Sequence, residues 1–243
     1  MTCWLDEKLL GFDLETTGVD PFSDVPVSFA LVRFRDRAPV ETIASLVDPG
    51  QPISPDAVAV HGITEECARA EGTPLPHAVE TICDALIDAS QRSVPVVGMN
   101  VSFDLTMIDA TARRSSGRGL IERGFAAPVV DVLVLDRHFN KYRKGKRRLS
   151  DLCEHYGVTQ ENAHDAVGDV VTCLRVLLAM GVTYPEIGTT HPEILHRRQI
   201  GWHADWACGY SVWRAEQGQA LLPLSAHYWP LHPVLAQGRS DVA

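Results

Sequence analysis

The sequence has few cysteines and no pair of them in a C-x-x-C spacing. Its six cysteines lie singly along 243 residues. This arrangement argues against a disulfide framework and against a structural zinc site, and it suits a reducing compartment. The chain also lacks an apolar run of transmembrane length, and its first ten residues show no signal-peptide pattern. We therefore expect a cytoplasmic protein with no membrane partner.

The chain is also short of positive charge, since its formal net charge is −9. Phosphate backbones favour Lys and Arg, so this balance by itself speaks against a nucleic-acid partner. The exception is residues 137–148, termed here the basic segment, in which seven of twelve residues are basic: Arg137, Lys141, Arg143, Lys144, Lys146, Arg147 and Arg148. Taken alone, such a run indicates a solvated loop. It gains meaning only beside a site that handles an anion.

Two carboxylates share one face of the first predicted strand, in the stretch GFDLETTG. Leu10, Phe12 and Leu14 alternate with Gly11, Asp13 and Glu15, and strand side chains alternate between faces with a period of two. Asp13 and Glu15 therefore lie together on the opposite face. Like charges about 7 Å apart on one face repel each other. Another part of the chain must offset this repulsion.

The hydrophobic pattern predicts an α/β domain with a mixed sheet. Three strands come first, followed by helices that alternate with two short apolar strands, in the order βββαβαβαα. The predicted strands after the first cover residues 25–34, 40–50 and 94–98 and a short piece before Asp131, and the predicted helices cover 54–72 (interrupted at His61-Gly62), 76–93, 102–114, 149–157 and 162–181. Ser102, Ser150 and Asp165 are the predicted N-caps of the last three helices.

Two further acidic residues and a histidine stand at the boundaries of predicted elements. Asp104 lies in the first turn of the helix after the buried strand VPVVG. Asp169 lies on the last long helix, and His164 precedes it by five residues. A strand end and two helix starts can bring Asp13, Glu15 and these residues to one end of a sheet. Hard divalent cations take oxygen ligands, so the set predicts a site for such cations.

Three ordered motifs resemble those of the DEDDh 3′–5′ exonucleases. They are DLETTG with Asp13 and Glu15, N-x-x-x-D with Asn100 and Asp104, and H-x-x-x-x-D with His164 and Asp169. This family contains the proofreading epsilon subunit of bacterial DNA polymerase III, RNase T and oligoribonuclease. The resemblance extends to HGIT at 61–64 and covers about residues 8–180. One departure is Met99, where many members carry a histidine.

The resemblance implies a ribonuclease H-like fold, a mixed five-stranded sheet flanked by helices, and a two-ion mechanism with Mg²⁺ or Mn²⁺. Asp13, Glu15 and Asp169 would hold the ion that activates water. Asp13 would bridge to a second ion, and Asp104 would reach that ion directly or through water. His164 would act as general base, since an unperturbed imidazole titrates near neutral pH. The product would be a nucleoside 5′-monophosphate.

The resemblance also implies contacts with the 3′ end of a nucleic acid. The terminal nucleotide would be held by residues around the ligands: Leu14, Thr16, Thr17, His61, Asn100 and Phe103. Beside such a site, the basic segment would bind the phosphate backbone of the nucleic acid upstream of its 3′ end, with Lys146, Arg147 and Arg148 as candidate contacts.

Several of these positions have simpler interpretations. Asp104 alone would merely favour a helix N-terminus electrostatically. His61 alone would only mark the break between two helices. His164 alone would be a polar loop residue. Asp165, next to His164, is read structurally as an N-cap.

The character of the chain changes after residue 183. Four of the five tryptophans lie in the last 42 residues. We expect an exonuclease domain over 1–183 and an aromatic-rich helical extension over 184–243. The extension would pack on its own domain or form a homodimer contact, and QALLPL (219–224) faintly resembles a clamp-binding peptide.

Two classes of function follow from these patterns. The leading hypothesis is a metal-dependent exonuclease acting on single-stranded DNA ends in proofreading or repair, with trimming of RNA as the alternative within the enzyme class. The other class is an adaptor module that docks on a polymerase or sliding clamp.

Overall fold

A mixed six-stranded sheet forms the centre of the structure. In the computed structural model, which describes residues 3–160 and 165–233, the strands are β1 Leu9–Thr16, β2 Pro26–Arg35, β3 Ala38–Asp48, β4 Thr73–Pro74, β5 Val96–Gly98 and β6 Val129–Asp131. They lie in the order β4-β3-β2-β1-β5-β6. β1, β2 and β3 form an antiparallel meander, β5 and β6 run parallel to β1, and β4 runs parallel to β3.

The predicted fold class is confirmed, with one strand more than expected. β4 has only two residues, which pair with Val47 and Asp48 of β3. A strand of two residues shows no alternation of apolar and polar positions, so no sequence pattern could reveal it.

Helices cover both faces of the sheet. They are α1 Pro55–His61, α2 Glu65–Glu71, α3 Leu75–Gln91, α4 Val101–Ser116, α5 Val132–Phe139, α6 Leu149–Tyr156, α7 Ala166–Thr183, α8 Pro185–Thr189 and α9 Pro192–Glu216. Leu10, Phe12 and Leu14 of β1 pack in one apolar core with α3 and α4. The second core joins the other face of the sheet to α7 and to parts of α5 and α6.

The helix starts correct two sequence predictions and confirm a third. Ser102 is not an N-cap, because α4 begins one residue earlier, after Asn100 in a left-handed conformation (φ 59°, ψ 32°). Ser150 lies inside α6, where the carboxylate of Asp151 instead accepts the Arg148 backbone N–H at 2.8 Å. Asp165 does cap α7, since its side chain accepts the Gly168 N–H at 3.2 Å.

α7 is the one helix of the described ranges that is long and apolar enough to span a membrane. Its apolar residues have partners in this structure, because the helix packs on β1 and β2. Val170, Leu174 and Leu177 are buried in the second core. Core packing therefore accounts for the composition of α7.

α9 lies along the edge of the sheet at β6. The Gln199 side chain donates to the Val129 carbonyl at 3.0 Å and accepts the Asp131 N–H at 2.8 Å. Residues 219–233, termed here the C-terminal strap, then return along α9 toward the sheet. The strap is held where His203 contacts the Ala226 carbonyl at 3.0 Å. The aromatic extension thus packs against the sheet of the same chain.

Candidate active site

Three carboxylates meet where β1 passes α7. Oxygen atoms of Asp13, Glu15 and Asp169 all lie within 4.8 Å of one another. The close approach of the helix depends on Gly11, where a Cβ would lie 2.4 Å from Cγ1 of Val170. Because side chains alternate along β1, Gly11, Asp13 and Glu15 all face α7. The lack of a side chain at residue 11 therefore lets α7 bring Asp169 to the two strand carboxylates.

The cluster holds its negative charge at a cost. Burial raises the pKa of Asp13 well above its ordinary value, and Asp104, Glu15 and Asp169 raise it further by repulsion. Burial raises the pKa of Glu15 to about 7, with added repulsion from Asp169 and Asp165. Each carboxylate therefore disfavours the ionised form of its neighbours. A cation among them would remove this penalty.

Asp104 joins the cluster from the first turn of α4. It is buried, and its charge is the largest electrostatic influence on Asp13 after burial itself. Burial raises the pKa of Asp104, and Asp131 adds repulsion, whereas backbone hydrogen bonds, including one from Leu14, oppose the rise. Its oxygens lie outside the 4.8 Å group of the other three. Asp104 therefore lies beside the cluster, apart from the other three carboxylates.

Sequence reasoning missed Asp131, the buried acid at the end of β6. One of its oxygens accepts the N–H groups of Asn100 and Leu133, each at 2.9 Å. The other accepts the indole N–H of Trp229 at 3.4 Å. Asp131 thus caps α5 and orients Asn100 at the start of α4. Asp131 stands where a short apolar strand meets a helix, and this pattern in the sequence was a usable signal.

Asp169 has a polar neighbour that the motifs did not indicate. The side-chain amide of Gln160 donates to the Asp169 carboxylate at 3.2 Å. Gln160 follows α6, so this bond connects the end of that helix to α7. His164, the predicted general base, lies outside the described residues.

The predicted nucleotide-binding residues of β1 and α1 meet at the carboxyl end of β1. His61 Nε2 lies 3.2 Å from the Thr16 carbonyl, and its Nδ1 accepts the Ile63 N–H at 3.0 Å. His61 therefore sits against the strand that carries Asp13 and Glu15. The Thr16 hydroxyl donates to the Gly18 carbonyl at 2.7 Å.

Thr17 points inward and is 1% exposed. Its hydroxyl donates to Asp24 at 2.7 Å and accepts from Gln51 and from the Val25 N–H. These bonds fix the turn after β1, so the Thr17 side chain supports the backbone beside the cluster from the interior.

The other predicted contacts surround the start of α4. Leu14 is buried in the core beneath the cluster, and Phe103 is half-buried against that core. Asn100 is exposed, and its side chain makes no capping hydrogen bond. The structure therefore leaves the Asn100 amide and the Phe103 ring beside Asp104.

The three basic candidates differ in their surroundings. The guanidinium of Arg147 pairs with the buried carboxylate of Asp136 and donates to the Asn140 carbonyl at 2.9 Å. Asp136 also accepts from the Tyr156 hydroxyl at 2.7 Å. Arg147 thus ties the basic segment to α5. Lys146 and Arg148 are exposed.

The donor set fits a hard divalent cation. It consists of carboxylate oxygens from two elements, crowded enough to raise one another's pKa values, with a further buried carboxylate beside them. Hard cations such as Mg²⁺ and Mn²⁺ prefer oxygen ligands, whereas zinc sites are built mainly from nitrogen and sulfur. The residues present can therefore hold metal.

The family assignment follows from comparison with known proteins. A family model described as Exonuclease (RNase T) matches residues 10–177, which is more than half of the chain. The chain belongs to this exonuclease family. The match confirms the resemblance inferred from the motifs, and it spans β1 through most of α7, including all four acidic positions.

Relatives of this exonuclease domain include bacterial replication proteins. A DNA polymerase III PolC-type protein of Lacticaseibacillus paracasei is 28% identical over 171 residues, covering 70% of this chain and 11% of that protein. A DNA polymerase III subunit epsilon-like protein of Rhodobacter capsulatus is 31% identical over 180 residues, covering 70% of this chain and 23% of that protein. The chain therefore matches less than a quarter of the length of either relative.

Solved structures share the fold. E. coli Exonuclease I in complex with a dT13 oligonucleotide superposes with a TM-score of 0.63 at 24% identity, covering 74% of this chain and 42% of that one. The complex of the same enzyme with a dA16 oligonucleotide gives a TM-score of 0.66 at 22% identity over 82% of this chain and 44% of that one. At these identities the likeness establishes the fold.

Proposed function

We propose that this exonuclease acts on 3′ ends of single-stranded DNA and releases nucleoside 5′-monophosphates. The observation that carries the proposal is the meeting of Asp13, Glu15 and Asp169 within 4.8 Å, with Asp104 beside them, in a chain of the exonuclease family. Buried carboxylates that repel one another are costly without a cation. A phosphodiester also needs cations to approach such a site.

The proposed cofactors are two Mg²⁺ or Mn²⁺ ions held by Asp13, Glu15, Asp104 and Asp169. When bound, such ions would neutralise the charge of the phosphate and lower the pKa of a water molecule, so that the water can lose a proton and attack the phosphorus as hydroxide. The charges of Asp104, Glu15 and Asp169 all act on Asp13, and Asp13 is the proposed ligand that the two ions would share. Gln160 holds the Asp169 carboxylate in place through its hydrogen bond.

His164 is the proposed general base, which would take the proton of the attacking water. Its place in the sequence is one residue before Asp165, and Asp165 caps α7 and acts electrostatically on Glu15.

The terminal nucleotide is proposed to bind beside the carboxyl end of β1. His61 is held there through the Thr16 carbonyl, and the half-buried Phe103 offers a ring face for the sugar or base. The Asn100 amide is available for polar contacts. Leu14 and Thr17 support these groups from beneath, through the core and the turn bonds respectively. Lys146 and Arg148 are the proposed phosphate contacts of the basic segment.

The relatives and the oligonucleotides bound in the neighbouring structures favour DNA over RNA as the substrate. The relatives are DNA polymerase III proteins, and the structural neighbours include complexes with dT13 and dA16. We therefore propose a role in replication proofreading or repair. A polymerase is the proposed protein partner, with residues 1–183 as the catalytic unit and 184–243 as its extension.

The test compares 5′-labelled and 3′-labelled single strands of one sequence, as DNA and as RNA. With Mg²⁺ or Mn²⁺, the 3′ label should leave at once as a mononucleotide while the 5′ label moves down a ladder. EDTA and Asp104→Asn should each abolish both signals, whereas Asp84→Asn, an exposed acid of α3, should not. Equal degradation by wild type and Asp104→Asn would contradict the proposed exonuclease activity of this site. Faster degradation of RNA than of DNA would favour RNA trimming.

A further inference from the structure

Three aromatic rings form a continuous column on the carboxyl-terminal half of α9. Trp206, Tyr210 and Trp213 have the spacing of one helix face. Their ring centroids are 5.3 and 5.5 Å apart, and neighbouring planes differ by only 15° and 12°. The column begins at Arg137, whose guanidinium carbon lies 3.4 Å from the centre of the Trp206 ring. It ends at Trp213, which is 47% exposed.

Core packing does not explain these rings. Trp202, one turn earlier, packs against both apolar cores, whereas Trp206, Tyr210 and Trp213 belong to neither core of the described residues. Their ring contacts are with one another and with His203, whose ring centroid lies 5.7 Å from that of Trp206. Their cation contacts are with Arg137 and with Arg214, whose guanidinium lies 5.9 Å from the Tyr210 ring. The column is thus a set of flat groups kept at the surface.

Hydrogen bonds at Asp131 connect the helix that carries the column to the helix that carries Asp104. The Asp131 N–H donates to Gln199 of α9 at 2.8 Å, and the Asp131 carboxylate accepts the Asn100 N–H at 2.9 Å, at the start of α4. Arg137, which contacts the Trp206 ring, belongs to α5, which starts directly after Asp131. Arg137 is also the first residue of the basic segment, so positive charge continues from the foot of the column. Flat apolar faces and positive charge therefore adjoin one another.

We propose that Trp206, Tyr210 and Trp213 form a stacking platform for single-stranded DNA bases upstream of the terminal nucleotide. This inference rests on the proposed function, because it extends the path of that substrate. Every base has a flat π face, so stacking on Trp and Tyr tolerates any sequence. A base that extends the column stacks on Trp213, the exposed ring at its end, because Tyr210 has a ring on either side. The adjoining basic segment neutralises the phosphates.

Charge favours this occupant over a second copy of the chain. A two-fold dimer places the same patch of both copies against itself. Two basic segments, each with seven basic residues in twelve, would then meet and repel. A strand of nucleic acid instead supplies negative phosphates and flat bases together.

The test measures binding and cleavage separately. Binding of 5′-fluorescein dT20 is followed in EDTA, where no cleavage can occur, for wild type, Tyr210→Ala/Trp213→Ala, Tyr210→Phe/Trp213→Phe and Tyr228→Ala. Tyr228 is a matched control, since it is also 47% exposed and belongs to no ring contact of the described residues. The double alanine variant should bind about tenfold more weakly, the double phenylalanine variant should bind nearly as wild type, and Tyr228→Ala should be unchanged. With metal, kcat/KM should fall for dT20 and stay constant for dT3.

Three outcomes would overturn the platform. They are unchanged dT20 binding in the double alanine variant, equal weakening by Tyr228→Ala, and a wild-type dimer that dissociates in the variant while dT20 affinity is retained. The last would assign the face to a second copy. If wild type binds dT20 through the column but cleaves nothing with metal, the platform stands and the proposed function fails, so the two failures remain distinguishable.

Discussion

Gln199 of α9 forms hydrogen bonds with the backbone at Asp131 of β6, as a neighbouring strand would. Its Oε1 accepts the Asp131 N–H at 2.8 Å, and its Nε2 donates to the Val129 carbonyl at 3.0 Å. Gln199, Val129 and Asp131 are all buried. A helix side chain therefore satisfies both backbone groups at a sheet edge that also positions the acid beneath the site.

Replacing Gln199 by Leu should destabilise the fold. The substitution keeps the bulk of the side chain but leaves the Asp131 N–H and the Val129 carbonyl buried without partners. We expect the free energy of unfolding in urea to fall by about 2 kcal/mol. Ile200→Ala, a half-exposed neighbour on the same helix, should change it by less than about 0.5 kcal/mol. Equal effects of the two substitutions would show that the amide contributes nothing specific.

Asp13→Asn should lower the exonuclease activity and raise the stability of the metal-free protein. Exonuclease activity should fall at least about a hundredfold, because a charged ligand is removed from a preorganised site. In EDTA the melting temperature should instead rise, because burial and three neighbouring carboxylates all disfavour charge at this position. Adding Mg²⁺ or Mn²⁺ should raise the melting temperature of wild type more than that of the variant. A wild-type melting temperature that does not respond to either metal would contradict the site.

His232 should make the fold sensitive to acid. Burial, together with repulsion from His203, lowers the pKa of His232 to about 4, whereas an unfolded histidine titrates near 6.5. As pH falls from about 6.5 toward 4, the unfolded chain takes up a proton that the folded chain does not, so stability is lost in this window. His232→Asn should remove this part of the loss. The measurement is the difference in unfolding free energy between the two proteins across pH 4–7.5, in which contributions common to both cancel.

Residues of the basic segment should differ in role: Arg147 should be needed for stability, and Lys146 and Arg148 for DNA binding. Arg147→Ala removes a partner of the fully buried Asp136 and should lower the free energy of unfolding by about 3 kcal/mol. Lys146→Ala/Arg148→Ala should leave stability almost unchanged. That variant should bind dT20 more weakly, and the slope of its salt dependence should be smaller by roughly 0.7 for each phosphate that is no longer neutralised. A double variant with an unaltered slope would remove both residues from the DNA path.

The acidic cluster was accessible from the sequence because each member sits in a strong local pattern. Alternation along β1 placed Asp13 and Glu15 on one face, and Asp104 and Asp169 each lie in the first turn of a helix. Motif order then suggested that these elements share one end of the sheet. The structure brings the four acids together there.

What the sequence could not reveal depends on contacts between distant residues. Arg147 looks like its basic neighbours until Asp136 is found buried beneath it. The strand-to-helix junction at Asp131 is visible in the sequence, but only its partners on α4 and the C-terminal strap show how this residue connects elements. Trp202 and Trp206 are four residues apart in the predicted helical extension, yet one packs in the cores and the other on Arg137. Periodicity identifies a face but not what covers it.

The two edges of the sheet differ in their capacity to accept a foreign strand. Side chains of α9 occupy the backbone groups of β6, whereas β4 pairs only with Val47 and Asp48 of β3. The rest of β3 is largely exposed, and it carries Pro39 and Glu41, residue types that hinder edge-to-edge pairing. β3 is therefore the edge that a foreign strand could reach and the edge whose sequence opposes such pairing, and it lies two strands away from the carboxylates of β1.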